Sequence, residues 1–422
     1  MKKRIFIRVF PFNILSYPVL LNAWEKNGVD KEFDIKIIDK PDLIEKTAFN
    51  KDDVILYSFM TPFLPLVHSE IEKIKKSGVL IVGGGPHING EQELARAVGF
   101  DILFVGPAEE SFLRFGSDLL DNKVREGIYR SSSQDDNLNS YLPISKYFKT
   151  IPPLEIMRGC RWKCKYCNTH LNRAAFRNLD SIRAYFEEMQ RRKLQRVNFI
   201  SPSAMEFGAV KARQTDIGQI EAVLKLARSP HSRGGAISGS AAGSAFDFKL
   251  VEYGIFPSEI RPDTVCDAGM KILKKYVSNK AVTIGAQSSS DARLKELRRG
   301  HSAADTEKAV EIANANGFLA NLDFIIGYPG ETARERTALI EFIKRLTGKY
   351  RVKTHLHHFF PLPGSGFAYR LPSFLSAREK ENFLELKKDG ISKVGWIGNE
   401  RQVIDYFDWL KNRFPTFYER YH

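Results

Sequence analysis

The stretch Glu155-Ile156-Met157-Arg158-Gly159-Cys160-Arg161-Trp162-Lys163-Cys164-Lys165-Tyr166-Cys167-Asn168-Thr169-His170 decides how this chain is read. It begins within an apolar run, Leu154 to Met157, that predicts a short strand, and it then spaces three cysteines as C-x3-C-x2-C. Three thiolates on a tight loop at the carboxyl end of a strand can hold three corners of a [4Fe-4S] cube and leave the fourth iron open to another ligand. The same stretch also suits zinc, because His170 stands where it would complete a Cys3His tetrahedron. On the cysteines alone both readings stand.

Outward from this loop, strand and helix patterns alternate. On the carboxyl side, Arg196–Ile200, Ala281–Gln287, Leu319–Ile326 and Lys353–Phe359 read as strands, with helices such as Ser302–Asn316 and Thr332–Leu346 between them. That rhythm predicts a parallel, barrel-like sheet over 151–365. On the amino side, Lys3–Val9, Phe33–Ile38, Val54–Ser58, Val79–Val82 and Ile102–Val105 read as five strands, with helices at Leu66–Ser77 and Gly90–Val98. A doubly wound parallel sheet over 1–130 follows, with ligands expected beyond the carboxyl strand ends. The polar stretch 131–150 reads as a linker, the Gly/Ser-rich run Gly234–Ser244 as a loop, and 366–422 as a small helical tail.

The chain has 422 residues, 43% hydrophobic and 27% charged, which is the balance of a folded multi-domain protein. No stretch is long and apolar enough to span a bilayer, and the start has no cleavable leader pattern, so no membrane association is expected. Four cysteines, three of them in one loop, suit a reducing, cytoplasmic setting better than a disulfide framework. Residues 1–150 carry 20 Lys and Arg against 21 Asp and Glu, whereas the remaining 272 carry 44 against 29. A basic surplus in one half fits an anionic ligand or an acidic protein surface. Without a helix-turn-helix, zinc-finger or RNA-binding signature, nucleic acid is not expected.

The cysteine spacing, with Tyr166 just before the third thiol, resembles the radical S-adenosylmethionine (SAM) superfamily. Two downstream segments strengthen the resemblance. Gly285-Ala286-Gln287-Ser288-Ser289-Ser290 resembles the fourth-strand segment near the SAM ribose and methionine, and Asp323 to Glu331, with Gly327 and Pro329, resembles the fifth-strand motif near adenine. The resemblance implies that Cys160, Cys164 and Cys167 ligate a [4Fe-4S] cluster, that SAM chelates the open iron, and that its reductive cleavage gives a 5′-deoxyadenosyl radical. The second-strand Gly-Glu pair that receives the methionine amine in many members has no counterpart here; Ser201-Pro202-Ser203-Ala204 stands in its place.

The amino-terminal half then resembles the cobalamin-binding domain of the B12-dependent branch. Its strand-end loops are Phe59-Met60-Thr61, Gly83-Gly84-Gly85-Pro86-His87, and a third containing Gly106 and Glu109. These are the expected seats for the corrin ring and its nucleotide tail. The Asp-x-His-x-x-Gly signature is missing, since Gly85 occupies the Asp position. The resemblance therefore implies base-off cobalamin without a His ligand, with Phe59, Met60 or Thr61 near its lower face. Arg158, Arg161, Lys163 and Lys165 surround the cluster loop, Glu259 and Arg261 are candidates for SAM carboxylate or substrate contacts, and His355 and His357 share one face of a strand with His358 on the other.

The expected activity is methylation of an unactivated carbon, with one SAM methylating cobalamin and a second supplying the radical. A cyclase or rearrangement enzyme with the same cofactors, and a non-catalytic iron-sulfur or zinc protein, are the alternatives. Methylthio transfer needs three further thiolates for a second cluster, and Cys266 is the single spare cysteine. The expected partners are a protein or peptide substrate and an external electron donor such as ferredoxin or flavodoxin. Ser201–Ala204, Phe256–Pro262 and Arg298–His301 further resemble the archaeal branch that C-methylates a glutamine of methyl-coenzyme M reductase.

Overall fold

The computed structural model describes the chain except for residues 1, 12, 126, 132–137, 229–245 and 394. The loop expected at Gly234–Ser244 lies outside the described residues. The chain divides into two compact units: Met1–Pro152 with Leu362–Tyr369 and Gln402–His422, and Pro153–Pro361 with Arg370–Arg401.

The first unit is built on strands β1 (Arg4–Arg8), β2 (Asp34–Ile38), β3 (Val54–Ser58), β4 (Leu80–Gly84), β5 (Ile102–Val105) and β6 (Gly127–Arg130). They form one parallel sheet in the order β2-β1-β3-β4-β5-β6. Strand β3 is buried at every position, as a central strand covered on both faces must be. The order reverses between β1 and β3, and loops at such a point splay apart beyond the carboxyl ends. Helices Tyr17–Lys26 and Glu109–Leu120 pack together through Trp24, which stacks on Phe112 with centroids 4.3 Å apart and donates from Nε1 to the Phe112 carbonyl at 2.8 Å. This close approach needs Gly116, where a Cβ would stand 2.9 Å from Trp24 Nε1.

Three expectations for this unit change. A sixth strand, β6, extends the sheet at its edge. The stretch expected as a linker is instead tied to the unit in its described part: the Asn22 side chain donates to the Ile144 carbonyl at 2.9 Å, and Tyr141, Ile144 and Phe148 are buried. Those three side chains gain more from burial than a solvated connector would offer. Helix Gly90–Val98 is also interrupted, with Pro86–Gly90 and Gln92–Val98 separated at Glu91, whose φ of −147° is not helical.

The second unit contains β7 (Leu154–Glu155), β8 (Met157–Arg158), β9 (Ala175–Phe176), β10 (Arg196–Ile200), β11 (Leu250–Glu252), β12 (Ala281–Gln287), β13 (Leu319–Ile326), β14 (Val352–His358) and β15 (Ser392–Lys393). Parallel sheets β11-β10-β7 and β12-β13-β14-β15 are linked by the irregular segment Gly254–Ile260. Its Gly254 and Ile260 carbonyls accept from Thr283 and Gly285, and the Ile260 amide donates to Thr283. Capping boxes at Ser302 and Thr332 start helices Ala303–Ala315 and Ala333–Lys349 beside the expected positions.

The strand expected over Leu154–Met157 splits around Ile156, whose amide pairs with β10 while its carbonyl accepts from Arg177. The tail expected over 366–422 is not a separate region. Helix Ala377–Lys388 and β15 belong to the second unit, and Gln402–His422 belongs to the first, where Trp409 Nε1 donates to His68 at 3.2 Å. Among the described residues no helix is long and apolar enough to cross a membrane.

Candidate functional site

The cysteine loop is clasped at its base. The β8–β9 ladder pairs Met157 with Phe176 and Arg158 with Ala175, so residues 159–174 leave and return at one point. Gly159 opens the loop at φ 68°, and a Cβ there would overlap the carbonyls of Asn172 and Arg173. The Lys165 amide donates to the Leu297 carbonyl, and the Cys167 amide to the Cys164 carbonyl, each at 3.0 Å. Cys164 is buried, and Cys160 and Cys167 are half-buried.

Each sulfur faces a donor: the Trp162 amide to Cys160 Sγ at 3.4 Å, the Thr169 amide to Cys167 Sγ at 3.5 Å, and Arg299 Nη1 to Cys164 Sγ at 3.8 Å. Burial pushes the Cys160 thiol up to about 11, so it keeps its proton until a metal displaces it. N–H donors and a buried guanidinium then stabilise the thiolates, the same contacts by which a protein tunes a cluster's potential.

Three thiols on one clasped loop, each facing a donor, are a donor set that a [4Fe-4S] cluster takes at three of its irons. The same loop carries His170, whose Nδ1 is buried without a hydrogen-bond partner.

Behind the loop, Trp162 is fixed from two sides. The Arg261 guanidinium lies 3.6 Å above its ring, and its Nε1 donates to Glu206 at 2.9 Å. Tyr166 is half-buried and packs edge-on to Tyr328, centroids 5.9 Å apart. Gly285 of β12 lets three side chains meet: a Cβ there would stand 2.8 Å from Gln287 Nε2, 2.9 Å from Glu259 Oε2 and 3.0 Å from Arg299 Nη2. Burial opposes the Arg299 charge, but the Tyr166 hydroxyl, the Cys164 sulfur and Glu259 around it raise its pKa overall. Glu259 also faces Asp323 of β13, and burial with that neighbouring carboxylate pushes Asp323 up to about 9.

The other expected residues lie at carboxyl strand ends. Ser201, after β10, is fully buried and accepts from the Ser203 amide at 3.3 Å. Gln287 ends β12 at φ 67°, followed by buried Ser288. After β13, Gly327 takes φ 80° and donates to Glu331 at 2.6 Å, and the Pro329 carbonyl accepts from Arg293 at 3.1 Å. Buried here without hydrogen-bond partners are Ser203 Oγ, Ser258 Oγ, Arg299 Nε, His301 Nδ1 and Tyr328 Oη. A buried unsatisfied polar atom costs roughly 1–3 kcal/mol, so such a concentration marks where a polar ligand completes the structure.

In the first unit, β3, β4 and β5 are neighbours, so their three loops emerge side by side. Phe59 is buried and stacks on His87 (centroids 5.3 Å) and Phe100 (5.6 Å). Thr61 Oγ1 pairs with His87 Nδ1 at 3.1 Å. Gly85 takes φ 96°, and a Cβ would stand 2.9 Å from the Phe59 backbone; one at Gly83 would stand 2.7 Å from the Phe100 ring. Gly84 ends β4, and Pro86 begins the short helix leading to His87. Gly106 takes φ 89° and donates to Asn89 Oδ1 at 2.8 Å, and buried Glu109 opens the next helix.

Of the three side chains expected near a corrin face, Phe59 and Thr61 are enclosed and Met60 alone is exposed, at 39%. His87 is fully buried, and burial pushes its pKa down to about 3, so it is neutral. Sequence reading missed Glu206 as the anchor of Trp162 and the proximity of Glu259 to Asp323. Both depend on segments distant along the chain.

Residues 154–343 match the family described as the radical SAM superfamily. An uncharacterized protein of Methanocaldococcus jannaschii is 26% identical over 355 residues, covering 76% of this chain and 69% of that one. An uncharacterized methyltransferase of Pyrococcus horikoshii is 24% identical over 373 residues, 79% and 74% respectively. A tRNA-2-methylthio-N(6)-dimethylallyladenosine synthase of Neisseria meningitidis is 23% identical over 402 residues, 91% and 82%. Among solved structures, the radical SAM methyltransferase TsrM of Kitasatospora setae, with cobalamin and a [4Fe-4S] cluster bound, superposes with a TM-score of 0.63 at 14% identity, over 87% of this chain and 77% of that one. The cobalamin-dependent SAM radical enzyme OxsB, with aqua-cobalamin and SAM bound, gives 0.54 at 14% identity, over 93% and 62%. Residues 154–343 are therefore similar to the radical SAM superfamily, within a chain whose fold resembles those of TsrM and OxsB.

Proposed function

We propose that this chain is a cobalamin-dependent radical SAM methyltransferase acting on an unactivated carbon. The observation that carries this reading is the clasped loop whose three sulfurs each face a donor, next to strand ends crowded with buried, unpartnered polar atoms. When bound, a [4Fe-4S] cluster with SAM on its open iron supplies an adenosyl radical, and cobalamin supplies the methyl group.

The chain's own residues position and shield. Cys160, Cys164 and Cys167 hold the cluster, and Arg299 places a buried positive charge beside Cys164. Gln287, Ser288 and the Gly327–Pro329 turn line the SAM side, where the Gly327 backbone is free of a side chain that would strike His358. Ser201 and the unpartnered Ser203 hydroxyl are the groups offered to the methionine end. In the first unit, the loops after β3, β4 and β5 seat cobalamin base-off, with Met60 toward its lower face. Enclosed, neutral His87 is not offered as a ligand.

The relatives leave methyl and methylthio transfer as chemistries to separate. Methylthio transfer is disfavoured by the thiols: the fourth cysteine, Cys266, stands alone at the start of helix Asp267–Tyr276. A polypeptide substrate fits the basic surplus after residue 150, with a glutamine of methyl-coenzyme M reductase as the first candidate to test. The electron comes from an acidic one-electron carrier of the ferredoxin or flavodoxin class.

The test is anaerobic reconstitution with iron, sulfide and cobalamin, then incubation with methyl-labelled SAM, dithionite and candidate peptides. Methyl transfer predicts 5′-deoxyadenosine together with a labelled peptide heavier by one methyl group. A product of unchanged mass assigns rearrangement or cyclisation, and SAM left intact contradicts the radical reading altogether.

A further inference from the structure

We propose that Asp323, His355 and His357 form a second metal site, one that takes a single divalent first-row transition ion such as Zn2+ or Fe2+. The site is built on two neighbouring strands of one sheet. The β13–β14 register sets Asp323 opposite His355 and Ile325 opposite His357. His355 and His357, two residues apart, share a face of β14, and their rings lie with centroids 4.1 Å apart. One ligand atom from each of the three residues lies within 4.8 Å of the others, and His355 Nδ1 is 3.8 Å from Asp323 Oδ1.

Ions of this class bind His nitrogen and carboxylate oxygen at about 2.0–2.2 Å, which places adjacent ligand atoms roughly 3.0–3.5 Å apart. Rotamer adjustments that close the group by about 1.8 Å or less would therefore complete it. Two imidazoles and a carboxylate select zinc, iron or a similar ion over magnesium or calcium, and three protein ligands leave coordination positions open for water or a substrate oxygen.

Three further observations point to a cation here. Asp323 is 3% exposed and its Oδ2 has no hydrogen-bond partner, an arrangement that is costly unless a cation or proton completes it. Glu259 brings a second carboxylate up beside Asp323, and Asn399, whose buried Oδ1 has no hydrogen-bond partner, stands beside His357. Beside His355, Gly395 leaves room: a Cβ there would stand 3.0 Å from His355 Nε2. The opposing charge is Lys393, paired with His355 across β15, and its exposure lets water screen it.

The site is distinct from the cysteine loop, and the proposal does not rest on the methyl-transfer reading. The test uses the full chain with its cluster assembled, so that the cysteines are occupied. After equilibration with micromolar ZnCl2 and removal of free metal, mass spectrometry should find one zinc per chain beyond the cluster iron. His357→Ala and His355→Gln should lower retained zinc at least tenfold with iron content unchanged. X-ray absorption at the zinc edge of the unmutated protein supplies a readout independent of variant folding: a nitrogen and oxygen shell with imidazole scattering is expected. A sulfur shell, no retained zinc, or retention indifferent to both histidine variants would overturn the proposal.

Discussion

The two units place their candidate loops in the same topological position, at the carboxyl ends of parallel strands, yet equip them differently. In the first unit the loops are shaped by absence of side chain: Gly83 and Gly85 admit Phe100 and the Phe59 backbone, and the buried imidazole of His87 is neutral. In the second unit the corresponding ground holds charge. Arg261, Arg299 and Asp323 are buried there, next to Glu259 and the thiols. Loops shaped chiefly by glycine, with Glu109 the buried carboxylate beside them, suit a large, flat cofactor held by area and backbone. Buried charge suits a redox centre and a zwitterionic cosubstrate, because electrostatic interactions strengthen where water is excluded.

That contrast breaks first at the cysteines. Cys164→Ala should abolish iron binding and 5′-deoxyadenosine release together, and Gly159→Ala should do nearly the same, because its Cβ has no space against two backbone carbonyls. Iron and acid-labile sulfide analysis reads both. If either variant keeps a full cluster, the clasped loop is not what holds it.

The next effect separates charge from ligation. Arg299→Leu should retain iron but lower SAM cleavage by ~10²-fold, the scale of removing one preorganised donor. Arg299→Lys should recover part of it, since an ammonium keeps the charge without the planar fork that reaches both Cys164 and the Gly285 carbonyl. Equal loss in both variants, with iron lost as well, would make Arg299 a packing residue.

In the first unit the expected effects are smaller and touch no iron. Gly85→Ala forces a side chain into φ 96° and against the Phe59 backbone, a strain of about 1–3 kcal/mol. Thermal unfolding of this unit and cobalamin retention should both fall while iron content stays. A variant that loses iron but keeps cobalamin would invert the assignment of the two units.

The smallest effect is a pH dependence. His87 has a folded pKa of about 3 against an ordinary value of 6.5, so the unfolded chain takes up the proton first. Its contribution to stability is complete above pH 6.5 and is lost as pH falls toward 3, amounting to about 2 kcal/mol between pH 7 and 5. His87→Phe, which keeps the stacking on Phe59, should flatten that part of the stability profile in chemical denaturation. An unchanged profile would show that the imidazole is solvated.

Much of the fold could be read before its coordinates, because a parallel strand buried on both faces announces itself as a continuous β-branched run, as at Val54–Ser58. What escaped was short or non-local. Strand β6 alternates half-buried with exposed residues at a sheet edge, and β11 is three residues long, too little for periodicity to register. Ile156 divides one apolar run between two ladders because its amide and carbonyl face different partners.

At the site, the three thiols were legible because their ligation is local. The meeting of Glu259, Gln287 and Arg299 over Gly285 was not, since it depends on three segments brought together by sheet register. His87 shows what a loop pattern leaves open: the glycine-rich segment reads as a seat for a cofactor, and packing against Phe59 encloses the imidazole within it.

The measurement that bears most directly on the whole account is electron paramagnetic resonance of the anaerobically reconstituted, dithionite-reduced chain, recorded with and without SAM. The account predicts a [4Fe-4S]+ signal whose g-values shift when SAM is added, because one iron has no protein ligand. A protein that assembles no cubane, or one whose signal is indifferent to SAM, would contradict it.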